Sequence, residues 1–194
     1  VRSLPRARRI LDLGGTDHQD PRGALVTLGY PYGFEELVIV DLPPQDRHES
    51  YHSDLVEGPI ESPLGPVSYR YHSMADLSGI EDGSFDLVYS GQTFEHVTRE
   101  DGHRVLSEAR RVLGPGGWLC LDTPNRAVTE LQLRGLDNEF IDPDHEVEYT
   151  DAEMRELFAE HGFEIARSHG LGLMQRSVEA DRYDAAEMCQ ANGL

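Results

Sequence analysis

A chain of 194 residues, 38% hydrophobic and 27% charged, fits one globular domain large enough to bury a core. Its formal net charge of −19 repels a phosphate backbone, which argues against DNA or RNA as a partner, and no apolar run reaches the ~18 residues a membrane-spanning helix needs. All 17 basic residues are arginine, so Schiff-base lysine chemistry and a P-loop are both excluded.

The first element is Arg9 to Leu13, an apolar strand interrupted only by Asp12 and closed by Gly14 and Gly15. A polar loop follows, and Pro21 opens a short helix carrying Ala24, Leu25 and Leu28. Leu37 to Asp41 reads as a second buried strand that also ends on a carboxylate. Residues 43–66, rich in Pro, Gly and Ser, form an irregular connection with a short strand at Ser53 to Val56. Val67 to His72 alternates as a half-buried strand does, and Ser84 to Tyr89 is the next buried strand.

Val105, Leu106, Ala109, Val112 and Leu113 recur at helical spacing, which predicts an amphipathic helix over 99–113, stopped by Gly114-Pro115-Gly116-Gly117. Trp118 to Leu121 is a further strand. The polar, aperiodic stretch 124–149 suits a substrate-side loop or lid. Thr150 with Glu153 forms a capping box before a helix ended by Gly162; Phe163 to Ser168 reads as a sixth strand, and Arg176 to Gln190 as a helical tail. Cys120 and Cys189 fall in distant elements, so no disulfide framework is indicated and a cytoplasmic location is expected. The basic N-terminus lacks the apolar segment of a secretory signal. Strands alternating with helices predict an α/β fold with a mostly parallel sheet in a single domain, 1–194.

Ligands of open parallel sheets bind beyond the carboxyl ends of the strands. Those ends offer Asp12, Asp41, Asp76 and the Ser90-Gly91-Gln92 segment. A carboxylate accepts from both hydroxyls of a ribose, whereas a row of carboxylates repels a pyrophosphate, and the GxGxxG fingerprint is absent. The pattern favours an adenosine-type, cationic cofactor without phosphates and argues against a nicotinamide dehydrogenase.

With SFDLVYSGQTFEHV, then ARRVLGPGGWLCLDTPN, then HEVEYTDAEMRELFAEHGFEI in that order, the chain resembles class I S-adenosylmethionine-dependent methyltransferases of the small-molecule group called type 11 or type 12, over about Arg8 to Ser168. The resemblance implies a Rossmann-like, doubly wound sheet in a three-layer sandwich, with S-adenosylmethionine as cofactor. It implies that Asp12, Gly14 and Gly15 form the turn against the methionine part. Asp41, with Leu42 beside it, would hold the ribose hydroxyls. Asp76, flanked by Ala75 and Leu77, would meet the adenine amino group, and Ser90, Gly91 and Gln92 would line the methionine end. Thr16 and His18 stand where the family usually has two more glycines.

For a hydroxyl acceptor, His96 and His145 are the candidate bases, because an imidazole titrates near neutral pH. The expected reaction is methyl transfer to a small molecule such as a sugar or secondary metabolite. The alternative is a non-catalytic binding or interaction module of the same fold, a reading that Thr16, His18 and the tail favour. No metal is expected, since Asp17, His18 and Asp20 read as a solvated loop. The family sheet has seven strands, so six strands before the end at Leu194 imply a truncated chain, or a seventh strand from another chain and a homodimer.

Overall fold

The computed structural model of the chain describes residues 1–47, 54–170, 175–184 and 186–187. It divides into two compact units: Val1–Phe94 with Arg99–Asp122, and Glu95–Thr98 with Thr123–Leu194.

The first unit is built on a six-stranded sheet in the order β3-β4-β2-β1-β5-β6. Its strands are β1 (Arg9–Leu13), β2 (Glu36–Asp41), β3 (Ile60–Ser62), β4 (Gly65–Tyr71), β5 (Phe85–Gly91) and β6 (Leu113–Asp122). All neighbours are parallel except β3, which folds back antiparallel on β4 at the edge. The chain builds outward from β1 through β2 to β4, then returns to the other side of β1 with β5. Strand order therefore reverses between β1 and β5, the kind of switch point beyond whose strand ends open parallel sheets bind their ligands.

The central strands are apolar on both faces because both are covered. Ile10, Leu37, Ile39, Val67 and Leu87 pack with Leu25 of helix α1 (Ala24–Thr27), Tyr30 and Phe34. Leu11, Val38, Val40 and Val88 alternate to the opposite face and are equally buried. Helix α2 (Arg99–Val112) buries Val105, Leu106, Ala109 and Val112 along one stripe, as its periodicity predicts. The segment Gly114–Gly117 does end that helix, but as a bulge at the start of β6: the pairing jumps from Phe85↔Leu113 to Leu87↔Trp118.

The second unit contains α3 (Arg126–Gln132), α4 (Asp151–Glu160) and α5 (Gln175–Glu179). Helix α4 starts on the predicted capping box, Thr150 Oγ1 accepting from Glu153 N while Glu153 Oε2 accepts from Thr150 N at 2.8 Å. Helix α3 lies inside the polar stretch and is capped by Asn125, whose Oδ1 accepts from Ala127 N at 3.1 Å.

Three expectations are corrected. Phe163 to Ser168 forms no strand; Ile165 is 39% exposed, and no strand among the described residues pairs with the segment. The antiparallel strand is Ile60–Ser62, not a segment at Ser53 to Val56. Asp54 to Val56 is irregular, and Ser53 lies outside the described residues. The tail is not one continuous helix: α5 stops at Glu179, before a turn in which Asp181 has φ 50°, and helical backbone recurs at Ala186 and Glu187; Cys189 and Gln190 lie outside the described residues.

Candidate functional site

The carboxyl ends of the strands in the first unit carry several carboxylates. Asp12 sits one residue before the end of β1, opposite Ile39 of β2 and Tyr89 of β5, and is 1% exposed. Neither of its carboxyl oxygens has a hydrogen-bond partner among the described residues. Burial, with Asp41 and Asp122 nearby, pushes its pKa up to about 8. The buried Ser90 hydroxyl, at the end of β5, and the Thr16 hydroxyl, in the loop after β1, also have no partner there. Three polar groups left unsatisfied around one strand reversal call for a ligand with donors, preferably a cationic one.

The glycines in this region are places where no side chain fits. Gly14 has φ +76°, and a Cβ on it would lie 2.2 Å from Thr93 Cγ2. A Cβ on Gly15 would meet Asp12 Oδ2 at 2.1 Å, and one on Gly91 would meet the Tyr89 hydroxyl at 2.3 Å. Side chains of Thr93, Asp12 and Tyr89 thus pack directly against backbone on both sides of the reversal point, which only glycine permits.

Asp41 closes β2. Its Oδ1 accepts from Leu42 N at 2.8 Å and lies 3.5 Å from Arg47 Nε, while the Leu42 side chain is 41% exposed. Asp76 lies in the loop after β4, and its carboxylate accepts from Ser78 N at 3.1 Å; hydrogen bonds from Ser78 hold its pKa below the usual range. Ala75 N donates to Ser73 Oγ, whereas Leu77 is fully buried with its N–H on Glu108 Oε2. Arg111 ties this loop to α2, donating to the carbonyls of Leu77 and Ile80 and to the carboxylates of Glu108 and Asp82. Gln92 has φ 53°, and its backbone and side chain both donate to Asp122, whose carboxylate also accepts from Tyr89. Sequence reasoning missed Asp122 and Arg111. Asp122 ends a parallel strand as Asp12 and Asp41 do, so the same signal was present.

Asp17, His18 and Asp20 gather no ligand cluster among the described residues. Asp17 accepts from Gln19 N and Thr27 Oγ1, and Asp20 pairs with Arg22, whose hydrogen bonds bring its pKa down to about 2.

The two candidate bases come together in the second unit although they are remote in sequence. The rings of His96 and His145 stand edge to face with centroids 5.0 Å apart, beside Glu95. Glu146 N and Val147 N both donate to the Glu95 carbonyl, at 2.9 and 3.1 Å, which holds the 144–147 segment against the turn at Phe94–His96. His96 Nδ1 lies 3.1 Å from the carbonyl of Asp144, and His145 Nδ1 lies 2.8 Å from Glu148 Oε1. Glu95 is 1% exposed and accepts from Thr123 Oγ1 at 2.9 Å; its pKa is raised, chiefly by burial.

The fold and the strand ends define a doubly wound α/β unit whose strand ends are acidic and ill suited to phosphate. A family model described as a methyltransferase domain matches residues 24–121, half of the chain, and the chain belongs to that family, the class I S-adenosylmethionine-dependent methyltransferases. Among curated proteins, it is 35% identical over 113 residues to a probable S-adenosylmethionine-dependent methyltransferase of Mycolicibacterium smegmatis, covering 56% of this chain and 41% of that one. It is 30% identical over 142 residues to a ubiquinone biosynthesis O-methyltransferase of Xanthomonas axonopodis pv. citri, covering 73% of this chain and 53% of that one. The chain thus spans about half the length, or less, of these curated relatives. Among solved structures, it resembles the complex between the Haloferax volcanii Trm112 methyltransferase activator and a putative methyltransferase, with TM-score 0.60 and 18% identity over 98% of this chain and 79% of that one. That likeness bears on the fold alone.

Proposed function

We propose that the chain is the catalytic domain of an enzyme that transfers a methyl group from S-adenosylmethionine to a hydroxyl oxygen of a small molecule. The observation that carries the reading is Asp12. A buried carboxyl with no partner among the described residues, set near two glycines that admit no side chain and the unsatisfied Ser90 hydroxyl, fits a cofactor that carries an ammonium group and no phosphate. Resemblance to O-methyltransferases of ubiquinone biosynthesis supports an oxygen acceptor.

When bound, S-adenosylmethionine supplies a methyl group activated by a sulfonium. The chain's own residues would then position and desolvate. Asp12 and Ser90 hold the amino-acid end, Gly14 and Gly15 bring backbone to it, and Asp41 accepts from the ribose hydroxyls with Leu42 beside it. Asp76, between Ala75 and Leu77, receives the adenine amino group, and Gly91 and Gln92 complete the methionine end. The group formed by Glu95, His96 and His145 handles the proton of the acceptor hydroxyl.

The test is methyl transfer from radiolabelled S-adenosylmethionine to a panel of phenols, catechols and sugars by the purified chain. Label on the oxygen of one acceptor class, lost in Asp41→Ala, is the expected result. Cofactor binding without transfer to any acceptor would favour the binding-module reading.

A further inference from the structure

The Glu95, His96 and His145 group has a second property that acid–base chemistry does not require. One donor atom from each residue, a carboxylate oxygen and two ring nitrogens, lies within 4.8 Å of the others. Two imidazoles and one carboxylate are a familiar donor set for divalent transition metals, with three protein ligands leaving coordination positions open.

Each donor is also oriented from behind. A backbone carbonyl only accepts, so the His96 Nδ1 beside the Asp144 carbonyl carries the proton and Nε2 carries the lone pair. His145 directs Nδ1 to the buried Glu148 carboxylate at 2.8 Å, which likewise leaves its lone pair on Nε2. Glu95 is fixed by the Thr123 hydroxyl. Metal-binding histidines characteristically make such bonds from the second ring nitrogen, to a carbonyl in one case and a carboxylate in another. Glu148 itself is 3% exposed, and its second oxygen has no partner among the described residues. Glu95 and Glu148 therefore bring two buried carboxyl groups against the two imidazoles, a concentration of acceptor atoms that a cation would satisfy.

We propose that Glu95, His96 and His145 bind a divalent transition-metal ion of the zinc type, with Glu148, Thr123 and the Asp144 carbonyl orienting the ligands. The ion's open positions take water or an oxygen of a bound molecule. A hydroxyl on such an ion loses its proton near neutral pH, so the metal would supply the deprotonated acceptor oxygen in place of a free imidazole. That role rests on the methyl-transfer reading; the ion's binding does not.

The test is titration of chelator-treated protein with Co2+ and Zn2+, followed by Co2+ visible absorption and calorimetry, with Mg2+ as a control. One Co2+ or Zn2+ per chain, a rise in thermal midpoint with Zn2+, and a tenfold or greater loss of affinity in His96→Ala and His145→Ala are expected. Glu148→Gln should weaken Co2+ binding by about 10–100-fold with little change in the metal-free thermal midpoint, as an orienting residue does. Stoichiometric binding that survives in both histidine variants overturns the assignment, as does absence of binding by the parent protein or equal binding of Mg2+. S-adenosylmethionine titrated into the metal-free protein separates the two claims. Cofactor binding without metal binding removes only the metal site, and metal binding without cofactor binding removes only the methyl-transfer reading.

Discussion

Replacing Asp12 by asparagine should change how stability depends on pH. In the ligand-free fold the Asp12 pKa stands at about 8, against an ordinary value of 3.8, because burial and the nearby Asp41 and Asp122 disfavour the charge. The folded chain therefore keeps a proton that the unfolded chain releases above about pH 4. Between those two values the native state binds more protons, so stability falls as pH rises. The slope is about 1.4 kcal/mol per pH unit, or on the order of 3 kcal/mol between pH 5 and pH 7. An asparagine at this position has nothing to ionise, and every other titrating group is common to both proteins. Urea unfolding at pH 5, 6 and 7 should then show the two stability curves diverging, with Asp12→Asn gaining on the parent at each step. Saturating S-adenosylmethionine should flatten the parent's slope by partnering the carboxylate. Parallel curves without ligand would refute the claim that Asp12 is buried without a partner.

Four further outcomes follow from the geometry. Gly14→Ala forces a residue with φ +76° to carry a Cβ against Thr93, which should cost about 1–3 kcal/mol in urea unfolding and weaken cofactor binding. Arg111→Ala removes bonds to two carboxylates and two loop carbonyls; a loss of about 2–4 kcal/mol is expected, together with weaker cofactor binding through the Asp76 loop. Thr150→Ala deletes one half of the capping box and should lower stability by about 0.5–2 kcal/mol, readable as a fall in thermal midpoint. Asp76→Asn keeps the local bond to Ser78 while removing the charge, so calorimetry should show weaker cofactor binding at unchanged stability.

The parallel core was legible because a strand buried on both faces leaves a continuous apolar run, and β1, β2 and β5 are such runs. Helices α2 and α4 announced themselves by period and by a capping box. What escaped were elements defined by pairing rather than composition. Ile60–Ser62 is a strand because β4 lies beside it, and Phe163 to Ser168 is not one because no described strand does. The same limit applied to the sites. Acidic strand ends identified Asp12 and Asp41 locally, and both histidines were visible as proton acceptors. That His96 and His145 share a site could not be read from spacing, because the 144–147 segment is anchored on the Glu95 turn largely through backbone groups, two amides on the Glu95 carbonyl and the Asp144 carbonyl beside His96. Net composition was informative in a different way. The charge of −19 includes the strand-end carboxylates that disfavour a phosphate-bearing cofactor.

The most direct test of the account is calorimetric titration of the chain with S-adenosylmethionine and its demethylated product. One site per chain is predicted, with affinity reduced tenfold or more in Asp41→Ala, as expected for loss of about 1.5–3 kcal/mol from a charged hydrogen-bond partner. No heat from either ligand at millimolar concentration, or an affinity unchanged in Asp41→Ala, would contradict it.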